Sequence, residues 1–154
     1  MQRREKEISV VVPTLNNPAG TIQLVNHLNR VFVNRKITAE ILLIDDASSL
    51  INRTHLIAEL QGCKITARIK LILLSTRCGQ FVSTRYGISF SEGKFILTLD
   101  DDKFISEQSV MILVEKIQDS NLDFIVGTNS SEKKENILVR DDARMRGRRA
   151  CGGP

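Results

Sequence analysis

Short apolar runs alternate with amphipathic stretches along the chain from Ile8 to Gly127. Ile8-Ser-Val-Val-Val12, Glu40-Ile-Leu-Leu-Ile44, Arg68 to Leu74, Lys94 to Leu99 and Leu122 to Val126 are nearly continuous and rich in β-branched and aliphatic residues. That is the pattern of strands buried on both faces. Between the first two, Ile22, Leu24, Val25, Leu28 and Phe32 recur at helical spacing after Asn17-Pro18, an N-cap followed by a first helical position. A second helix is predicted from Asn52 to Gln61, closing at Gly62, and a third from Gln80 to Ser91, with Gly87 inside it and Gly93 beyond it. Ser106 is a candidate N-cap for a fourth, running to about Gln118.

Strand and helix in regular alternation specify crossover units, hence an α/β fold with a mainly parallel, twisted sheet covered by helices on both faces. After Gly127 the pattern fails. Asn129 to Glu135 is polar, Ile137-Leu-Val139 is a short apolar island, and Arg140 to Pro154 is charged and glycine-rich without periodicity. The expected division is a charged arm over residues 1–7, one domain over 8–128, and a disordered polar and basic tail over 129–154.

At 154 residues and 42% apolar content the chain is long enough for one domain with its own core. No stretch approaches the roughly 18 uninterrupted apolar residues of a membrane span. The charged start, Met1 to Glu7, argues against a secretory signal. Cys63, Cys78 and Cys151 lack metal-ligand spacing and read as unpaired thiols of a reducing compartment, so a cytoplasmic location is expected. The net charge of +4 comes largely from the two ends, Arg3, Arg4 and Lys6, then Arg140, Arg144, Arg146, Arg148 and Arg149. Terminal charge of this kind is a solvated tail, and no nucleic-acid partner is expected.

Two acidic clusters follow strands: Asp45-Asp46 after the second, Asp100-Asp101-Asp102 after the fourth. In an open parallel sheet both lie on the edge where ligands bind. Adjacent carboxylates repel one another unless hydrogen-bond donors, water or a cation offset the charge. Hard cations such as Mg²⁺ take one or two carboxylates together with substrate phosphates. Because side chains alternate along an extended chain, Asp100 and Asp102 are the expected pair, with Asp101 facing elsewhere. The alternative for the second cluster is a polar turn opening the next helix. For Asp45 the alternative is a turn residue capping the loop with Ser48 or Ser49. Two other chemistries share this layout. Haloacid-dehalogenase-type phosphatases usually carry Thr or Val where Phe104 stands, and response-regulator receivers need an acceptor aspartate where the third strand here ends in Ser75.

The blocks Ser9-Val-Val-Val-Pro-Thr-Leu-Asn16, Leu43-Ile-Asp-Asp-Ala-Ser48, Gly79-Gln80 with Gly87, Gly93, and Leu99-Asp-Asp-Asp102 resemble, in order and spacing, family-two glycosyltransferases. The likeness is greatest to the polyprenyl-phosphate sugar transferases, and Asp123 to Thr128 is similar to their fifth strand. The resemblance implies the Rossmann-like GT-A fold, here incomplete because relatives continue past the fifth strand. It also implies transfer of a sugar from a UDP- or GDP-sugar donor with Mg²⁺ or Mn²⁺, and a polyprenyl phosphate acceptor at the cytoplasmic face of a membrane.

Residue by residue, the resemblance implies that Pro13, Thr14 and Leu15 line the base and ribose pocket. Asp46, with Asp45, would bond the base or ribose, and Gly79 would let its loop approach the nucleotide. Asp100 would lie near ribose and metal, and Asp102 would ligate the metal on the diphosphate, making these two the catalytic pair. Leu15 stands where the family often has Tyr, Arg77 where Asn is common, and Lys103 where the lipid-linked subgroup has an apolar residue; an arginine at 77 can meet phosphate. The competing expectations are a non-catalytic nucleotide-sugar-binding unit without its acceptor half and a metal-dependent phosphohydrolase.

Overall fold

The computed structural model describes residues 8–102, 105–119, 124–129 and 132–140, with side chains described as far as Lys116. The arm 1–7 and residues 141–154 of the expected tail lie outside the described residues, as do Lys103 and Phe104.

The first strand, β1 (Ile8–Thr14), is buried along its whole length and leads into helix α1 (Pro18–Arg35). Asn17 caps that helix, its side chain accepting the Gly20 N–H, with Pro18 at the first helical position. Strand β2 (Ala39–Asp45) is equally buried. Helix α2 (Leu50–Gly62) starts two residues before its apolar spacing predicts, because Ser49 supplies the cap by accepting the Asn52 N–H. Strand β3 (Arg68–Leu73), helix α3 (Gln80–Ser89), strand β4 (Phe95–Thr98) and helix α4 (Glu107–Asp119) follow. Ser106 caps α4 as expected, its hydroxyl accepting the Ser109 N–H at 3.0 Å.

The sheet runs in the order β3-β2-β1-β4-β6-β5, with β5 (Phe124–Asn129) and β6 (Glu132–Arg140) closing it. The β1–β2, β2–β3 and β1–β4 pairs are parallel. Strand β6 is antiparallel to both β4 and β5. The sheet is therefore mainly parallel, as the alternation predicts.

The expected tail boundary at residue 129 is corrected by this hairpin, which carries 132–140 into the sheet. Val139 stands opposite Ile96 and Leu138 opposite Leu97, so the apolar island of the tail completes the flank of β4. Polarity over 129–135 hid the strand from the sequence. In the polar half of β6, Glu132 and Glu135 pair with Asn129 and Thr128 at the end of β5, beyond the stretch that pairs with β4.

Alternate residues of the central strands face opposite layers. Val10, Val12, Ile41, Leu43 and Leu97 pack with Leu24, Val25, Leu28 and Phe32 of α1 and with Val110, Leu113 and Val114 of α4. Val11, Leu42, Ile44 and Ile96 face the other side, with Ile72, Leu74 and Ile88 packed against them. There α3 lies on β1 and β2. A Cβ on Gly87 would stand 2.5 Å from Val11 Cγ1 and 2.9 Å from Ile44 Cγ1, so glycine is what lets α3 sit this close to the sheet.

Candidate functional site

Parallel register brings three strand ends to one edge: Thr14 stands opposite Asp45, and Asp45 opposite Leu73. The loops leaving that edge are tied to each other. The Asp46 N–H bonds the Thr14 carbonyl at 2.9 Å, the Leu74 N–H bonds the Asp45 carbonyl at 2.9 Å, and the Leu99 N–H bonds the Val11 carbonyl at 3.1 Å. Asn16, in the left-handed region at φ 52°, accepts the Ser49 N–H at 2.8 Å with its side chain, and its own N–H bonds the Ser48 hydroxyl. The β1–α1 and β2–α2 loops are thus held as one unit.

Above this edge lies a cavity of about 260 Å³, lined by Pro13, Thr14, Leu15, Asp46, Arg77, Gly79, Gln80, Asp100, Asp101 and Asp102. Seven of the eight residues expected at the site meet here from four loops. Asp45 does not line the cavity. Its Oδ2 accepts the Ser48 N–H at 3.2 Å and the Arg53 Nε–H at 2.6 Å, and Arg53 also bonds the Leu74 carbonyl. Asp45 is 1% exposed, so its charge is used inside the protein to brace α2 against the end of β3. Its Oδ2 contacts are those of the loop-capping alternative, while its Oδ1 is buried without a hydrogen-bond partner.

Asp46 does reach the cavity. Its two carboxylate oxygens accept the Cys78 N–H at 2.7 Å and the Gly79 N–H at 2.8 Å, folding the β3–α3 loop down over the strand ends. Gly79 sits at φ 87°, a conformation glycine adopts without strain. Burial pushes the Asp46 pKa up, but the two N–H groups, the Ser83 hydroxyl and the Arg77 charge together outweigh it and hold the carboxyl below its ordinary value. Ser83 Oγ is buried and makes no bond of standard geometry, so its part in this balance is that of a nearby dipole.

An acid whose folded pKa is depressed stabilises the fold above its ordinary pKa, here 3.8, and loses that contribution as pH falls through the folded value. Asp46→Asn also turns an amide donor toward one of the two N–H groups. We expect it to cost about 1–3 kcal/mol at neutral pH, the difference from the parent shrinking as pH falls below about 4. A urea melt at stepped pH checks this; a pH-independent difference contradicts the assignment.

The acidic run differs from the extended geometry its spacing suggests. Strand β4 ends at Thr98, and Asp101 and Asp102 lie in a turn, so alternation no longer applies and all three residues line the cavity. The expectation that Asp101 faces elsewhere is corrected accordingly. Asp100 Oδ1 accepts a hydrogen bond from Gln80 Nε2, at the start of α3. Asp101 Oδ2 accepts the Thr14 hydroxyl at 2.6 Å and the Thr21 hydroxyl at 3.3 Å, joining the run to β1 and α1. Asp102 is exposed. Burial pushes the Asp101 carboxyl up, the charge of Asp102 adds to this, and hydrogen bonds from Thr14, Asn17 and Thr21 only partly oppose it.

In the sequence Gln80 stands out only as part of the Gly79-Gln80 block, Arg77 only as a departure from the family able to meet phosphate, and Asp101 only as the residue between the expected pair. Their placement depends on a glycine turn and a turn after β4 that no periodicity reports. Among the described residues no three Asp, Glu, His or Cys side chains stand close enough to hold a metal ion on their own. Cys63 and Cys78 are free thiols, and Cys151 lies outside the described residues.

Residues 9–149 match the family model described as glycosyl transferase family 2, a span that takes in most of the expected tail as well as the expected domain. The undecaprenyl-phosphate 4-deoxy-4-formamido-L-arabinose transferase of Klebsiella pneumoniae is 31% identical over 142 residues, covering 91% of this chain and 42% of that protein. The chain thus spans less than half the length of that relative. Among solved structures, the mannosyltransferase PcManGT of Pyrobaculum calidifontis, in complex with GDP-Man and Mn²⁺, superposes with a TM-score of 0.76 at 14% identity, over 96% of this chain and 47% of that one. S. aureus TarS residues 1–349, in complex with UDP-GlcNAc, superposes at 0.61 with 26% identity, over 77% of this chain and 33% of that one. The fold is the Rossmann-like GT-A fold of these glycosyltransferases, and the chain belongs to glycosyl transferase family 2.

Proposed function

We propose that this domain binds a nucleoside-diphosphate sugar together with Mg²⁺ or Mn²⁺, as the donor half of a glycosyltransferase that delivers the sugar to a polyprenyl phosphate. The observation that carries the reading is the single cavity wall on which Arg77, Gln80 and the Asp100–Asp102 run meet Pro13, Thr14 and Leu15. The apolar and hydroxyl groups of β1 suit a base and ribose. Each Asp46 oxygen already accepts one N–H and keeps a lone pair for a base or ribose donor.

The carboxylate run fits a cation. Burial raises the Asp101 pKa and the charge of Asp102 adds to it; a positive charge beside the run would relieve both. A hard cation held between a carboxylate pair and a diphosphate needs fewer protein ligands than a metal caged by protein alone. In this reading Asp100 and Asp102 hold the ion, Gln80 fixes the Asp100 carboxylate, and Arg77 meets phosphate. When bound, the ion supplies Lewis-acid stabilisation of the departing nucleoside diphosphate. In transfer the bond from the anomeric carbon to the donor phosphate oxygen breaks, that oxygen keeps the electron pair, and an acceptor phosphate oxygen forms the new bond. An acceptor phosphate is already ionised near neutral pH, so its attack needs no strong base from the protein. The acceptor follows the name of the Klebsiella relative. For the location we infer the surface of a membrane, and no described helix is long and apolar enough to cross one.

Titration of UDP and GDP by calorimetry, with and without Mn²⁺, tests the donor site. Binding of one of them that strengthens at least about tenfold with Mn²⁺ is expected, and binding of neither overturns the reading. Transfer is assayed to a polyprenyl phosphate, a saccharide and a protein. Donor binding with no transfer to any of the three and no donor hydrolysis assigns the chain as a donor-binding unit alone.

A further inference from the structure

Helix α3 is built inside out. Its sheet-facing positions include Ser83 and Gly87, both buried. Its large side chains point away: Phe81 is 73% exposed, Val82 47%, Tyr86 44%, and Phe90 at the C-cap 47%. At about 100° per residue these positions and Arg85 share one half of the helix surface. A surface helix ordinarily buries such residues and exposes small polar ones. The outward groups are also organised among themselves. The Tyr86 and Phe90 ring centroids are 5.1 Å apart, and the Arg85 guanidinium lies 5.9 Å from the Phe81 ring centroid.

Charge selects what covers this face. From Cys63 to Ser91 the chain holds five basic residues, Lys64, Arg68, Lys70, Arg77 and Arg85, and no acidic one. Lys70 pairs with Glu40 and Glu92, and Arg68 with Glu92. Arg77 and Arg85 are exposed, and among the described residues neither makes an ion pair within 4.0 Å. Within α3 Arg85 is the one charged residue, and Glu92 just beyond the helix is taken up by Lys70 and Arg68, so a two-fold pairing of this face would bring arginine against arginine. Aromatic and aliphatic side chains interleaved with arginine match an anionic lipid surface, where rings sit at the boundary of headgroups and acyl chains.

We propose that the outer face of α3 docks on an anionic bilayer, with Phe81, Val82, Tyr86 and Phe90 in the interface and Arg85 among lipid phosphates. Because Gln80, the first residue of α3, bonds Asp100, docking sets the rim of the cavity at the membrane surface. A lipid-phosphate acceptor then reaches the donor without leaving the bilayer; this consequence, unlike the docking, rests on the proposed acceptor.

Co-sedimentation of the full chain, without nucleotide, is measured with phosphatidylcholine vesicles and with vesicles containing about one-third phosphatidylglycerol. Binding to the anionic vesicles is expected. The double substitution Phe81→Ser/Tyr86→Ser is expected to weaken it at least about tenfold, and Arg85→Glu to remove the preference for anionic lipid. These side chains are solvent-exposed, and circular dichroism verifies that each variant folds. Should the double variant not fold, Arg85→Glu and the loss of binding at high salt decide. The proposal is overturned if folded parent protein stays in the supernatant, or if the variants bind like the parent. It is equally overturned if the parent is a dimer that Phe81→Ser dissolves, which makes a second copy the occupant. Donor titration on the same samples separates the two readings. Vesicle binding without nucleotide binding removes the functional reading alone, and nucleotide binding without vesicle binding removes only the docking.

Discussion

Replacing Asp102 by alanine is expected to weaken Mn²⁺ affinity about 100-fold or more, so that the nucleoside diphosphate loses its Mn²⁺ enhancement while metal-free binding and the fold stay intact. The size follows from position. Substitution of groups that merely orient a metal ligand costs about 10–100-fold in metal affinity, and a direct ligand to the ion costs at least the upper figure. The specificity follows from exposure. Asp102 is exposed in a turn, so its removal is expected to change stability by no more than about 0.5 kcal/mol. Asp101→Asn is the informative contrast. It keeps an oxygen to accept the Thr14 and Thr21 hydroxyls, while removing the charge that burial and Asp102 disfavour. If the metal dependence follows Asp102, the alanine variant loses it and binds the nucleotide only as the parent does with chelator. Equal Mn²⁺ enhancement in parent and Asp102→Ala, read by calorimetry, removes Asp102 from the metal site.

The sequence carried the elements further than it carried the site. Continuous apolar runs such as Glu40-Ile-Leu-Leu-Ile44 have one physical meaning in an alternating chain, and the buried β2 strand is that meaning realised. Asn17-Pro18 and Ser106 are local signals, decided by the backbone groups next to them, and both caps form. The sheet edge was legible too, since strand direction alone places Asp46 and the Asp100–Asp102 run together. Which carboxylates point into the cavity was not. Asp45 and Asp46 are adjacent and chemically identical, yet Arg53 claims one and the Cys78 and Gly79 N–H groups claim the other. Those partners lie 8 and more residues away, beyond any local pattern. The alternation rule does not reach Asp101 because β4 stops at Thr98, while the apolar run continues through buried Leu99 and so extends the apparent strand to the acidic run. Strand β6 was missed for a related reason. Its apolar half is only Ile137 to Val139, and its polar half pairs at the rim of the sheet.

At the opposite edge, Lys70→Met is expected to destabilise the domain by about 3 kcal/mol while leaving nucleotide binding unchanged. Glu40 is fully buried near the start of β2, where three groups hold it. The Ser9 hydroxyl donates to its Oε1 at 2.7 Å, the Glu92 N–H donates to the same oxygen at 2.6 Å, and Lys70 Nζ lies 3.2 Å from Oε2. Ser9 Oγ in turn accepts the Gly93 N–H at 2.7 Å, seating the turn before β4 against the first strand. A Cβ on Gly93 would stand 2.5 Å from the Ser9 nitrogen, so the network and the glycine fix the same contact. Lys70 is the only cation within 4.0 Å of Glu40 among the described residues. Removing it takes the cation away from a buried carboxylate, which costs about 3–5 kcal/mol; the lower end applies because Lys70 is 22% exposed and water can partly replace it. For a domain of this size that is a fall in melting temperature of roughly 10 °C. The decisive comparison is Glu40→Gln/Lys70→Met. Glutamine keeps an oxygen for Ser9 and the Glu92 N–H but removes the stranded charge, so the double variant is expected to melt above Lys70→Met alone. A Lys70→Met melt within about 1 kcal/mol of the parent would class the pair with exposed surface ion pairs, and the buried-charge account of this edge would fall.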